Sequence, residues 1–277
     1  GIWPAAGVTE IVEENMANAA RVHAIERGKD IGQCTMIAFG GAAPLHACHL
    51  AEKLGVQQII VPSGAGVGSA IGFLQAPIAY EITRSAALNL EDFDAAKANG
   101  LLKAMERDAR AVVEPAVGKE KLKVIRIADF RYVGQGHEIR VTLPEGPLKS
   151  TDGPKLRAAF EKLYKVLYGL IIPSMAIEAV TWSVTVSSTP PKVQRAGKPK
   201  AGKAPKPRKQ RQVYDPDLGK VVSMPVYWRF DMKSGAAIKG PAIIAENETS
   251  TLVGSHFHAR LDSLGYIVIE RAKGGYR

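Results

Sequence analysis

Apolar and polar positions follow two rhythms along this chain. Val8, Ile11, Val12, Met16, Ala19, Ala20 and Val22 recur at three- and four-residue steps, which predicts an amphipathic helix over Val8–Gly28 with Gly28 as its stop. Thr35–Phe39 is a short apolar strand that ends at Gly40-Gly41. Pro44 suits the first turn of a helix that continues from Leu45 to Leu54 and closes at Gly55. Ile59-Ile60-Val61 is a second buried strand, ended by Pro62 and a glycine cluster, and Val67–Leu74 is a short helix closed by Pro77. Strand, helix, strand and helix with short connections predict an α/β layer built on a parallel sheet.

Beyond Pro77 the elements lengthen. Ala79–Leu88 reads as extended and Asp92–Val113 as a long amphipathic helix. Lys121–Leu143 alternates as one long strand or a hairpin, Asp152–Tyr168 is a helix, and Ala176–Ser187 is a strand carrying Ile177, Val180, Trp182 and Val184. The pattern then stops. Thr189–Gln212 is Pro, Lys, Gly, Ala and Arg with almost no bulky apolar residue, so it reads as a solvated connector. From Val213 to Arg271 only short strand-like segments recur, among them Val221-Val222, Met224–Trp228, Ala242–Ala245 and Tyr266–Ile269. The expected division is therefore 1–188, a basic linker 189–212, and a small β-rich module 213–277.

Composition adjusts this picture little. A chain of 277 residues with 46% hydrophobic content can bury one large core or two ordinary ones. No apolar run reaches the roughly 20 residues of a membrane span, and Gly1-Ile2-Trp3-Pro4 does not read as a secretory leader. Two cysteines, Cys34 and Cys48, make no disulfide framework, so a cytoplasmic location is the simplest expectation. The net charge of +10 is local: nine basic residues and no acidic one lie between Lys192 and Arg211, leaving the remainder near +1. That stretch has no aromatic residue for base stacking, so it reads as a connector and no nucleic-acid partner is expected.

Candidate chemistry begins at Gly40-Gly41. Glycines between a strand and a helix let a ligand approach the backbone, and the helix start offers unpaired N–H groups to a phosphate; a plain tight turn needs the same residues. Gly64-Ala65-Gly66-Val67-Gly68 looks like a dinucleotide turn, but Ser69 stands where a third glycine belongs. There is no Gly-Lys-Ser/Thr ending for a P-loop. His46 and His49, one helical turn apart, have the spacing of two metal ligands, as does His256-x-His258 on a strand, yet neither pair has a third partner nearby, and no metal ligand set is assigned. His46, beside the glycine turn, is the better donor to a phosphate or polar substrate group. Arg131-Tyr132-Val133-Gly134-Gln135-Gly136-His137-Glu138 breaks an alternating strand and reads as a bulge or hairpin turn, or as a close approach that places His137 and Glu138 for proton transfer.

Several of these stretches occur in a familiar order: Glu14-Asn15-Met16-Ala17, Glu26-Arg27-Gly28, AFGGAAPLHAC, IIVPSGAGVGSAIGF, RYVGQGHEI and Gly240-Pro241-Ala242-Ile243-Ile244. Together they resemble the C-terminal part of the hydantoinase A/5-oxoprolinase proteins, a family that includes the ATP-dependent acetone and acetophenone carboxylases. The resemblance covers almost the whole chain. One departure is Ala43, where the family usually has a glycine before the proline.

The resemblance implies an α/β fold, the second lobe of an actin-like, heat-shock-chaperone-like ATPase body, followed by the β-rich module. It implies ATP with Mg2+ or Mn2+ as cofactors, zinc as an option in a partner subunit, Gly40, Gly41 and Asn15 as nucleotide contacts, and His46 as the candidate catalytic residue. The phosphate-gripping Asp-x-Gly-Gly-type loop of the first lobe is not in this sequence. The expectation is therefore a hetero-oligomer active only with partners: a larger subunit carrying the first lobe and a hydantoinase-B-like subunit, with the split arrangement of acetophenone carboxylase as the nearest match. The implied reaction is carboxylation of a ketone by bicarbonate, with hydrolysis of a cyclic amide as the alternative and a non-catalytic assembly subunit as a second alternative.

Overall fold

The computed structural model describes residues 2–192, 195–197 and 201–272. In chain order, the first elements are α1 (Ile2–Glu26), β1 (Thr35–Ile37), α2 (Ala43–Leu54), β2 (Gln58–Val61) and α3 (Gly68–Gln75). Next come β3 (Ala79–Asn89), α4 (Ala95–Val117), β4 (Lys123–Tyr132), β5 (Ile139–Thr142), α5 (Gly153–Tyr168) and β6 (Ile177–Ser187). The last are β7 (Lys209–Asp215), β8 (Lys220–Trp228), β9 (Ala237–Lys239), β10 (Ala242–Ala245), β11 (Ser250–Val253), β12 (Phe257–Leu261) and β13 (Ile267–Arg271). They form two compact units, residues 75–192 and the combination of 1–74 with 193–277.

The continuous unit is an antiparallel four-stranded sheet in the order β3-β6-β4-β5. Helix α4 starts where Asp94 accepts the N–H of Lys97 at 2.9 Å, an N-cap bond that fills one orphan donor. Its Ala98, Leu102, Met105, Ala109 and Val113 recur every three or four residues and are all buried. Helix α5 buries Leu156, Phe160 and Tyr164 in the same core. Trp182 of β6 lies fully inside and donates its indole N–H to Ala86 O at 2.8 Å, so its one polar atom is satisfied. Lys121–Leu143 resolves as the β4–β5 hairpin, with Gly134 at φ +87° in its turn.

The discontinuous unit corrects the expected organisation. Its five-stranded sheet has the order β1-β2-β13-β12-β9, so strands from both ends of the chain share one layer. Only β1 and β2 run parallel there; β13 pairs antiparallel to the other edge of β2, with Ile269 opposite Ile59. The rest of 213–277 contributes to a second sheet, β11-β10-β8-β7. Residues 213–277 are thus no freestanding module. The core of the unit joins Ala47, Cys48, Ala51 and Ile59 to Ile244, Phe257, Ile267 and Ile269.

Two further expectations change. Residues 209–212, read as linker, are the start of β7, an edge strand whose outward Lys, Gln and Arg side chains hide it from a hydrophobicity count. Helix α1 exists, but its apolar stripe is not its inner face: Val8 and Ile11 are each 63% exposed, whereas Glu13 is 2% exposed and Ala17 is buried. Glu13 and Ala17 face α2, one turn apart, and charged bonds tie the two helices together. Lys53 pairs with Glu10 and Glu14, and Arg21 bonds Glu14 at 3.0 Å and Lys53 O at 2.8 Å.

Candidate functional site

Three turns of the discontinuous unit meet at the N-terminus of α2. The first is 38–42, leaving β1: Gly40 holds φ +115°, a region open to glycine, and donates its N–H to Ala65 O at 2.7 Å. The second is the glycine run 64–68, and the third is the β10–β11 turn, where Glu246 N–H bonds Thr249 O at 2.9 Å. Thr249 Oγ1 donates to Gly41 O at 2.8 Å, joining the third turn to the first. Behind it, Arg229 and Glu246 form a buried ion pair at 3.0 Å that fixes the turn.

The two glycine turns are glycine-rich for different reasons. A Cβ at Gly66 would lie 2.6–2.9 Å from Glu248, and one at Gly68 would meet the Phe39 ring at 3.1 Å. Close packing accounts for that run, so no dinucleotide fingerprint is needed. Around Gly40 a Cβ would find nothing within 4 Å, and at Gly41 only Glu248 O at 3.9 Å. Gly41 has neither left-handed backbone nor crowding within the chain to demand a glycine. Next to it, Ala42 offers no side-chain cap to α2, Pro44 has no N–H, and the Leu45 N–H bonds Ala42 O at 3.0 Å, leaving the Ala43 N–H as the open donor of the first turn.

Helix α2 then presents His46 and His49, one turn apart, to Glu13 of α1. Glu13 Oε1 accepts from His46 Nδ1 at 3.0 Å and from His49 Nδ1 at 3.3 Å. Burial alone would push the Glu13 carboxyl up, but hydrogen bonds from His49 and His46, with their charge, hold it below its ordinary value. Burial likewise opposes charge on His49, yet the Glu13 hydrogen bond and charge, with Asp217 and Glu52 adding, raise its pKa. His46 Nε2 has no protein partner among the described residues and is the free polar atom nearest the glycine turn in sequence. Cys48, by contrast, is buried with its thiol pushed up to about 12 by burial, and its Sγ bonds Leu252 O at 3.1 Å, so it is no nucleophile.

Asn15 is not brought to this cluster: it is exposed on α1, and two residues from Glu13 corresponds to about 200° around the helix, the far side. His137 and Glu138 lie in the continuous unit, exposed in the β4–β5 turn. His256 and His258 do not share a face in one site. His258 on β12 turns to Glu270 at 3.5 Å, while His256 in the preceding turn bonds Glu52 at 2.9 Å. Sequence reasoning missed Glu13, because nothing along the chain separates it from its exposed or half-exposed neighbours Glu10 and Glu14. It also missed the group Glu52, Asp217 and His256, whose donor atoms lie within 4.8 Å of one another. Desolvation, then the hydrogen bond and charge of Glu52, push the Asp217 carboxyl up to about 6.

Comparison with known proteins agrees with the architecture. The Hydantoinase/oxoprolinase family model matches residues 4–82, and the Hydantoinase/oxoprolinase C-terminal domain matches residues 99–271. The chain belongs to the hydantoinase/oxoprolinase family. Its relatives within that family include an uncharacterised protein of Methanocaldococcus jannaschii, 30% identical over 96% of this chain and 37% of the relative. The caprolactamase subunit alpha of Pseudomonas jessenii is 27% identical, covering 93% of this chain and 38% of that subunit. The acetone carboxylase beta subunit of Xanthobacter autotrophicus is 25% identical, again over 93% and 38%.

Two solved structures share the fold. A nucleotide-free acetone carboxylase has a TM-score of 0.74 at 22% identity, and the ATP-dependent caprolactamase of Pseudomonas jessenii has 0.73 at 26%. Each match covers nearly all of this hydantoinase/oxoprolinase chain and 40% of the other chain. The α/β class and actin-like ATPase-type fold expected from sequence are those of these two structures. This chain thus spans less than half the length of the relatives it matches. Among the described residues, no helix is long and apolar enough to cross a membrane.

Proposed function

We propose that this chain supplies one side of the ATP site of an ATP-dependent enzyme that activates a carbonyl oxygen by phosphorylation. The observation that carries the reading is the Gly40–Gly41 turn: open space around both Cβ positions, directly before an uncapped helix start. The open glycine backbone lets the nucleotide come close, the Ala43 N–H at the start of α2 faces its negative charge, and His46 Nε2 donates to a phosphate or the substrate oxygen. Glu13 orients the His46 ring through Nδ1. A magnesium or manganese ion accompanies the nucleotide and neutralises its phosphates.

The site is one-sided, and the exposed stripe of α1 supports a missing neighbour. Val8, Ile11, Val12, Met16, Val22 and Ile25 lie bare on one helix. In this reading the first ATPase lobe, carried on a larger subunit or on the same longer chain, covers them and grips the phosphates from the other side, with a hydantoinase-B-like subunit completing the enzyme. Asn15, on that outer side, faces the incoming lobe rather than the His46 cluster.

For the substrate we favour a ketone, whose enolate oxygen takes the γ-phosphoryl group before carbon–carbon bond formation with activated bicarbonate. The similarity to caprolactamase subunit alpha supports a second reading, in which a cyclic amide oxygen is activated and water opens the ring. ADP release by the assembled enzyme tests both. Release that needs ketone and bicarbonate together supports the first, release with a lactam alone supports the second, and no release with either sinks the ATP reading. Gly41→Val is expected to abolish release while leaving the fold intact, because nothing in the chain crowds that position.

A further inference from the structure

At the other end of α2 from the glycine turn, three side chains converge from three separate segments. Glu52 lies in the last turn of α2, Asp217 in the β7–β8 turn, and His256 in the turn before β12. One ligand atom from each lies within 4.8 Å of the other two, with His256 Nδ1 2.9 Å from Glu52 Oε1. We propose that Glu52, Asp217 and His256 form a divalent-cation site, of the zinc or manganese type, that fastens α2 to these two turns.

Three features support it. First, the two turns are already set in place by a residue behind them. Buried Asp215 accepts the N–H groups of Asp217 at 3.0 Å and Leu218 at 3.2 Å on Oδ1, and the hydroxyl of Ser255 at 2.5 Å on Oδ2. One carboxylate thus ties together the two turns that carry Asp217 and His256. Second, Glu52 is held on the same side, since Cys48 one turn earlier bonds Leu252 O and packs against Gly254, whose Cβ position lies 3.3 Å from the Cys48 Cβ. Third, the basic neighbours of the two carboxylates among the described residues are the histidines His49 and His256. Glu52 and Asp217 are adjacent carboxylates with no lysine or arginine ion pair among the described residues, and Glu52 stands at a helix C-terminus, where the dipole disfavours an anion. A divalent cation answers both.

One imidazole and two carboxylates suit zinc, cobalt or manganese, and three protein ligands leave positions for water. Half-exposed His256 and exposed Asp217 leave the site open to solvent. His49, one turn before Glu52 on α2, borders the site and feels the charge of Asp217 and Glu52, but its Nδ1 is held by Glu13 and it is not one of the three ligands.

Zn2+ titrated into the full chain by calorimetry, and Co2+ followed by its visible absorption, test the proposal without reference to activity. One equivalent should bind. His256→Gln and Asp217→Asn, both surface changes, should each weaken binding at least about tenfold and remove the cobalt bands, by analogy with the loss seen when ligand-orienting partners are removed. His258→Gln, two residues along and facing Glu270, should leave affinity unchanged. Absence of stoichiometric binding overturns the proposal. So does binding that survives both variants, or binding that is lost instead with His46→Gln. Failure of the ATP reading would leave these results unaffected, since no nucleotide is present.

Discussion

The two compact units bury their cores by opposite routes. Residues 75–192 close a sheet from one continuous stretch, with helix and strand periods that repeat long enough to be read locally. The other unit threads β13 between β2 and β12, so neither 1–74 nor 193–277 contains a complete sheet. The candidate chemistry sits entirely in the second kind of unit. There the return of the chain to its own beginning brings Glu52, Asp217 and His256 together.

The largest test of this contrast separates the pieces. Residues 75–192 produced alone should fold, with circular dichroism and slow amide exchange of a native sheet. Residues 1–74 and 193–277 produced as separate chains should each stay unfolded and recover protection at Ile59 and Ile267 only when mixed. Folding of either half alone would break the comparison.

Within the continuous unit, Trp182→Ala empties the centre of the core and should cost about 3–5 kcal/mol, read from the urea midpoint of that unit. In the discontinuous unit, Gly66→Ala forces a Cβ against the Glu248 backbone and should cost about 1–3 kcal/mol. Its melting temperature should fall clearly below that of the parent.

Glu13→Gln should cost a similar amount, about 1–3 kcal/mol near neutral pH, by removing the acceptor that two histidines share. The pH dependence identifies the cause. Glu13 is held below its ordinary 4.5, so its contribution is present above that pH and lost as pH falls through the lowered value. His49 is held above its ordinary 6.5, so its contribution is complete below that pH and lost as pH rises through the raised value. Glu10, Glu14, Arg21, Lys53, Glu52 and Asp217 are other charged groups around these helices. Parent stability should therefore be greatest between the two ordinary values, and Glu13→Gln should flatten both limbs. An unchanged pH profile would remove the ion pair from the account.

The smallest expected change is Gly41→Ala. Ordinary backbone and open surroundings predict no resolvable shift in melting temperature, in contrast to Gly66→Ala. A marked loss would mean that Gly41 serves packing rather than approach.

Helix α1 shows where reading the sequence stops. Its period was visible in Val8, Ile11, Val12 and Met16, and a helix formed there. The period says which residues share a side, not what covers that side. Glu13 and Ala17 took the inner face because α2 brings His46, His49 and Lys53 opposite it. The linker shows the converse: Lys209–Gln212 carries no apolar signal, and pairing with β8 alone makes it a strand.

By itself the sequence determined the local elements, the turn at Gly40-Gly41 leading to Pro44, and the family. Each depends on spacing between neighbours or on runs of consecutive residues. Tertiary structure alone decided that β2 lies beside β13, that Glu13 meets two histidines, and that Glu52, Asp217 and His256 converge. The first and last of those contacts join segments from opposite ends of the chain and the second joins two helices, and no periodicity along the chain encodes a distance across it.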